Sequence, residues 1–323
     1  MKLYVGIDVS KTQLDIYIND IERKDFRLEN SKTGIEALIK ILQDLNSKGH
    51  TVRLVICEAT GGYERTLSLM LRAAGLPIHV AHPNKVRNFA KATGVFAKTD
   101  KIDARILSNF AKVFNPKPDE IALSPELEVL RTLSARRQQL LEDKTSEHNR
   151  LDKHISDIIR KSIKKHIAWI EKEIDSLEKL ISQQIKTHDE IKNAVDLLSS
   201  VPGVGDITAA ALLTELPELG NLDGKKLASL VGVAPLNRDS GKKRGKRHIR
   251  GGRNTIREIL YMSALTSIRF NYDMKIFYDR LRENGKEAKV ALVAVMRKLI
   301  MLLNEIARRK TPWEDRQALG VMV

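Results

Sequence analysis

Between Leu3 and Val9 the chain alternates without a break, with Leu3, Val5, Ile7 and Val9 on one side and Tyr4, Gly6 and Asp8 on the other. That period is the mark of a strand with one buried face. Asp8 therefore projects from a strand whose opposite face is buried. Three further acids stand at comparable places: Glu58 closes LVICE, and Asp100 and Asp103 lie in KTDKIDA. Residues three apart share a helix face, so the last two act as a pair. Carboxylates gathered at one point repel, by on the order of 4 kcal/mol per pair at about 4 Å and an effective dielectric near 20. A divalent cation relieves that repulsion, and hard oxygen donors suit Mg²⁺. Asp8, Glu58, Asp100 and Asp103 are therefore the candidate metal-binding and catalytic set, for chemistry on phosphates.

The surrounding pattern predicts where these acids sit. Segments 13–18 and 22–28 read as two more strands, and Ser31 caps a helix to about Leu45, with Leu38, Ile41, Leu42 and Leu45 on one stripe. The continuous apolar run VRLVIC is that of a central strand covered on both faces, with Glu58 at its C-terminal end. Gly61-Gly62 opens the next helix, Leu76 to Ala81 makes a short strand, and helices follow from about Pro83 to Phe114. The order βββαβαβα is that of the ribonuclease H fold.

A Pro-bearing stretch, NPKPDEIALSP, ends this first domain near residue 120. Beyond Pro125, up to residue 198, the chain is charged and free of Pro and Gly. Within it Ile163, Ile167, Ile170, Ile174, Leu177 and Ile181 form a heptad seam, which predicts a helical hairpin or a coiled coil pairing with another chain. We therefore expect an α/β domain over 1–120, a coiled-coil or helical linker over 121–198 and a mainly α-helical domain over 199–323. The last opens with VPGVGDITAAALLTEL, where Gly203 and Gly205 resemble the turn of a helix-hairpin-helix, whose backbone N–H groups approach a phosphate. Helices are expected around 223–231 and 253–269, and from about 274 to the end.

From Arg238 to Arg257, nine of twenty residues are Lys or Arg, against the single acid Asp239. Glycines at 241, 245, 251 and 252 break any helix there, so this is a basic loop or hairpin. Arg238, Lys242, Lys243, Arg244, Lys246, Arg247, Arg250 and Arg253 are its candidate nucleic-acid contacts. The net charge of +15 points the same way, toward a polyanionic partner. Ser240 lies inside the loop; a lone serine before glycine is ordinarily turn chemistry, and it would need an activating base to attack anything.

Other chemistries are excluded by count and spacing. Cys57 alone permits neither an intrachain disulfide nor a cysteine-rich zinc site, and the eight histidines form no HExxH. The apolar stretch near 290–307 is interrupted by Arg297 and Lys298, so it reads as a buried amphipathic helix rather than a membrane span. The early Asp8 argues against a signal peptide, and a cytoplasmic, nucleoid-associated protein without a membrane partner is expected.

With these motifs assembled, the chain resembles the DEDD-type insertion-sequence transposases of the IS110 family, which includes the Piv invertases. The likeness runs nearly end to end, through GIDVSK, CEATGGYE, KTDKIDA, VPGVG, LVGVAPLNRDSGKKRGKRHIRGGRNTIREILYMSAL and the closing KTPW at 310–313. The resemblance implies an N-terminal domain like the RuvC junction resolvases, with Asp8, Glu58, Asp100 and Asp103 holding Mg²⁺. It implies that Ser240 is the nucleophile that forms a phosphoserine link to DNA. Further implications are a homo-oligomer, dimer or tetramer, whose active site unites the acids of one protomer with the serine of another, and a bridge RNA that pairs with donor and target double-stranded DNA. Two other functions are open to the residues alone. One is a junction resolvase or nuclease in which metal-activated water attacks; the other is a non-enzymatic DNA-binding protein, which would leave the four acids unexplained.

Overall fold

A computed structural model describes the chain except residues 22–24, 96–98, 120–123, 152–155, 238–244, 246 and 315–323, and the side chain of Lys101. The chain divides into two compact units, Met1–Ala122 and Leu123–Val323.

The first unit is built on β1 (Lys2–Val9), β2 (Gln13–Ile18), β3 (Asp25–Glu29), β4 (Thr51–Glu58) and β5 (Ile78–Ala81), arranged β3-β2-β1-β4-β5. The meander β1-β2-β3 is antiparallel, whereas β4 and β5 run parallel to β1. Helices α1 (Lys32–Ser47), α2 (Arg65–Ala73), α3 (Pro83–Ala92) and α4 (Asp100–Phe114) complete the order read from the sequence. Ser31 caps α1 as expected, its Oγ accepting from the Gly34 N–H at 3.2 Å. One face of the sheet buries Leu3, Val5, Ile7, Leu14, Ile16 and Val55 with Leu38, Leu42 and Leu71 of α1 and α2. The other face carries Leu54, Ile56 and Ala81 against Ile106, Leu107, Phe110 and Ala111 of α4. Both faces are covered, which is why β4 is a nearly continuous apolar run.

Helix α4 approaches the sheet closely because β1 offers a glycine. A Cβ on Gly6 would overlap the carbonyl oxygen of Ala104 and stand 3.0 Å from the Leu107 Cβ. Ser108, fully buried on the same helix, donates to the Tyr4 carbonyl at 2.8 Å and fixes the depth of that contact.

The second unit is helical: α5 (Pro125–Leu151), α6 (Asp157–Thr187), α7 (Asp189–Ser199), α8 (Asp206–Glu215), α9 (Gly224–Val231), α10 (Asn254–Phe270), α11 (Tyr272–Glu283) and α12 (Ala288–Arg309). The heptad seam of α6 is used within the chain. Ile170 and Ile174 bury against Leu140 of α5, and Arg137–Glu178 and Lys144–Glu171 pair along the two helices in antiparallel register. Within the chain the seam thus forms a helical hairpin, one of the two arrangements read from the sequence. Leu130, Ile181 and Ile185 at the hairpin's base join the core made by α7–α10 and α12. Among the described residues no helix is long and apolar enough to cross a membrane, and α12 buries Leu292, Val295, Leu299 and Leu303 within the unit.

Candidate active site

All four acids singled out in the sequence belong to the first unit, and three elements carry them to one region of it. Asp8 is next to last on β1, and Glu58 is the last residue of the neighbouring parallel strand β4. Asp100 and Asp103 occupy the first turn of α4, capped by Thr99, whose Oγ1 accepts from the Ile102 N–H at 3.3 Å. A helix N-terminus favours carboxylates, so the DxxD pair is stabilised where it stands. Burial, followed by the charges of Asp103, Asp100, Asp15 and Glu58, pushes the pKa of Asp8 up to about 6.

The fifth acid in that series, Asp15, escaped the sequence reading. It lies on β2 directly opposite Asp8 and is buried, which would be costly for two facing carboxylates without a counter-ion. Arg27, opposite Asp15 on β3, supplies it: its Nε and Nη2 donate to Asp15 Oδ1 at 2.9 and 2.8 Å, and Nη2 stands 3.7 Å from Asp100 Oδ2. Alternation in QLDIYI places Asp15 with Gln13 and Tyr17 on one face, but only the β1–β2 register sets it against Asp8.

A second unforeseen acid shapes the loop after Glu58. Glu64, nearly buried, accepts from the Thr60 N–H at 3.1 Å, the Thr60 hydroxyl at 3.0 Å and the Gly62 N–H at 2.9 Å. The ATGGYE segment is thereby folded back on itself, so the helix begins at Arg65 rather than at the glycine pair. Cys57, fully buried beside Glu58, has its thiol pushed up by burial and is chemically quiet.

The donor set suits a hard divalent cation, since every group is a carboxylate. Among the described residues no three His, Cys, Asp or Glu side chains are drawn close enough to grip a metal ion. The acids share an electrostatic field rather than a finished coordination shell.

The basic loop belongs to the second unit. Its base is closed by an antiparallel bridge between Leu236 and His248, with the Leu236 N–H donating to the His248 carbonyl at 2.9 Å. Arg247 and Arg250, on either side of His248 in the chain, are exposed. Arg238, Ser240, Lys242, Lys243, Arg244 and Lys246 lie outside the described residues. Arg253 has a different situation from its neighbours: its guanidinium forks onto Glu218 at 2.7 and 2.6 Å and reaches the Glu215 carbonyl at 3.0 Å. Its charge is spent inside the unit, where it anchors the start of α10.

The two glycines of VPGVG also differ. Gly203, with φ of +101°, lies against α10, where a Cβ would come within 2.6 Å of the Ser267 nitrogen. Ser267 in turn donates to the Pro202 carbonyl at 3.1 Å. Gly205, at the N-cap of α8, faces open space. Of the pair, Gly205 is free to approach a ligand, whereas Gly203 is explained by packing.

A transposase model of the DEDD type matches residues 5–160, and a model described as the transposase IS116/IS110/IS902 family matches residues 195–279. The pilin gene-inverting protein of Moraxella bovis is 27% identical over 98% of each chain. The IS110 43.6 kDa protein of Streptomyces coelicolor is 29% identical over 51% of this chain and 40% of its own length. Among solved structures, T. thermophilus RuvC in complex with a Holliday junction substrate matches at 14% identity and a TM-score of 0.27, over 36% of this chain and 99% of that one.

Proposed function

This chain belongs to the IS110/IS116 family of insertion-element transposases, and from that premise we propose that it cuts and rejoins double-stranded DNA through a serine–phosphate ester. What supports the reading is that β1, β4 and the first turn of α4 carry Asp8, Glu58, Asp100 and Asp103 into one region of the first unit, where burial and then the charges of the neighbouring acids raise the pKa of Asp8. In this reading the four carboxylates hold Mg²⁺. When bound, the cation withdraws charge from the non-bridging oxygens of the scissile phosphate. Ser240 Oγ attacks phosphorus, losing its proton; the new Ser–O–P bond replaces the P–O3′ bond, and the 3′-hydroxyl leaves. Attack by the 3′-hydroxyl of another strand reverses the step and releases the serine. The ester energy is kept throughout, so no external energy source is needed.

The cationic loop serves this chemistry by holding the backbone. Arg238, Lys242, Lys243, Arg244 and Lys246, with exposed Arg247 and Arg250, neutralise phosphates on either side of the cut. The acids and Ser240 that act together come from different protomers of a homo-oligomer. A bridge RNA supplies the sequence readout for donor and target, and the net charge of +15 suits a second polyanion beside DNA.

Suicide DNA substrates test the chemical core. Wild-type protein should become covalently linked to DNA in the presence of Mg²⁺, whereas Ser240→Ala should bind DNA nearly as well and form no adduct. Adducts persisting in that variant would remove serine from the mechanism. Hydrolysed ends without any adduct in the wild type would favour attack by water instead. Sequencing RNA that co-purifies from the native host tests guidance; recombination by RNA-free protein would defeat that part.

A further inference from the structure

We infer that Arg27, tethered by Asp15, is a positioning residue that acts as the resident counter-cation of the acid site and sets how tightly its carboxylates take up a divalent cation. The inference rests on the metal-site reading above and adds to it two residues outside the acid motifs. Asp15 Oδ1 accepts from both Nε and Nη2 of Arg27, and Nη2 stands 3.7 Å from Asp100 Oδ2. The Asp15 side chain is only 8% exposed, while those of Arg27 and Asp100 are 49% and 67% exposed. The buried carboxylate is therefore the fixed end of the pair, and the guanidinium reaches from it toward a movable acid.

Geometry makes this arm part of the site rather than a remote ion pair. Asp8, Asp15 and Arg27 form one cross-strand row over β1, β2 and β3, since directly opposite residues share a face of the sheet. Asp100 joins that row from α4, which packs on the same face. A rigid guanidinium fork stays charged at every relevant pH and cannot be neutralised by proton loss. It therefore stabilises the clustered carboxylates, and by the same charge opposes an incoming divalent cation. Release of Arg27 from Asp100 is the movement that frees a ligand oxygen, and the tether to Asp15 limits how far the arm retreats.

Calorimetric titration of the full-length protein with Mg²⁺ and Mn²⁺ tests this, alongside thermal melts with and without the ions. Removing the charge in Arg27→Gln should tighten ion binding by on the order of tenfold, the repulsion expected of one charge on a divalent ion in a solvated site. The same variant should gain a larger rise in Tm from Mg²⁺ than the wild type. Arg27→Lys, which keeps the charge, should stay within about threefold of the wild type. Asp15→Asn frees the arm to engage the remaining acids, and should weaken ion binding by about tenfold. Unchanged or weaker affinity in Arg27→Gln, with Tm lowered equally in the presence and absence of ions, would make Arg27 a mere clip between β2 and β3. Should Arg27→Gln not fold, unaltered affinity in Asp15→Asn overturns the inference equally well. Wild-type protein that takes up neither ion would instead sink the metal site itself, and this inference with it.

Discussion

Gly6 of β1 and Ala104 of α4 are in backbone contact: the space a Cβ on Gly6 would need is taken by the Ala104 carbonyl oxygen and the Ser108 N–H. The contact sets the height of α4 above the sheet, and α4 carries Asp100 and Asp103 to Asp8, two residues beyond Gly6 on the same face. Gly6→Ala should therefore push the helix outward and cost about 2–3 kcal/mol, the range of overpacking in a tight core. Urea denaturation measures the loss, and wild-type stability in that variant would show that α4 does not need the close approach.

Asp8→Asn should stabilise the fold at neutral pH while abolishing metal-dependent strand cleavage. The folded pKa of Asp8, about 6, lies above its ordinary 3.8. Between these values the native state holds more protons than the unfolded one, so stability falls as pH rises through this window. Discounted for solvent screening, the gain in Asp8→Asn is about 1–2 kcal/mol at pH 7 and vanishes below about pH 4. Parallel stability curves for the two proteins from pH 4 to 7 would contradict the convergence of acids on Asp8.

Gly203→Ala should destabilise the second unit by about 2–3 kcal/mol, because the new methyl meets the Ser267 backbone at a positive φ. Gly205→Ala should leave stability within about 0.5 kcal/mol, since nothing lies within 4 Å of its Cβ position. If the turn also approaches DNA, only the second substitution should lower affinity without touching the melting curve. Chemical denaturation paired with DNA titration separates the two effects.

Arg253→Ala should cost about 1–2 kcal/mol of stability through the lost fork onto Glu218. It should barely alter the salt dependence of DNA binding. Replacing exposed Arg247 and Arg250 together should do the reverse, reducing the slope of log affinity against log salt by about 2 with stability unchanged. Equal slopes in all three proteins would mean that the described base of the loop does not contact phosphates.

Periodicity and composition fixed a good deal without coordinates. The alternation of Leu3–Val9, the apolar run into Glu58 and the DxxD pair gave the βββαβαβα order and named the four acids, because each signal is local to a few residues. The heptad seam was legible too, though not its partner: one apolar stripe fits a helix of the same chain as well as a helix of another, and packing of Ile170 and Ile174 on Leu140 is a long-range choice. The same limit hid Asp15 and Arg27, whose roles come from strand register, and disguised Arg253, a surface cation by composition but internally paired by its contact with Glu218. Local pattern thus determined which elements form and which residues are charged. Which charges meet was decided by tertiary structure alone, because Coulomb energy depends on distances in space that separation along the chain does not encode.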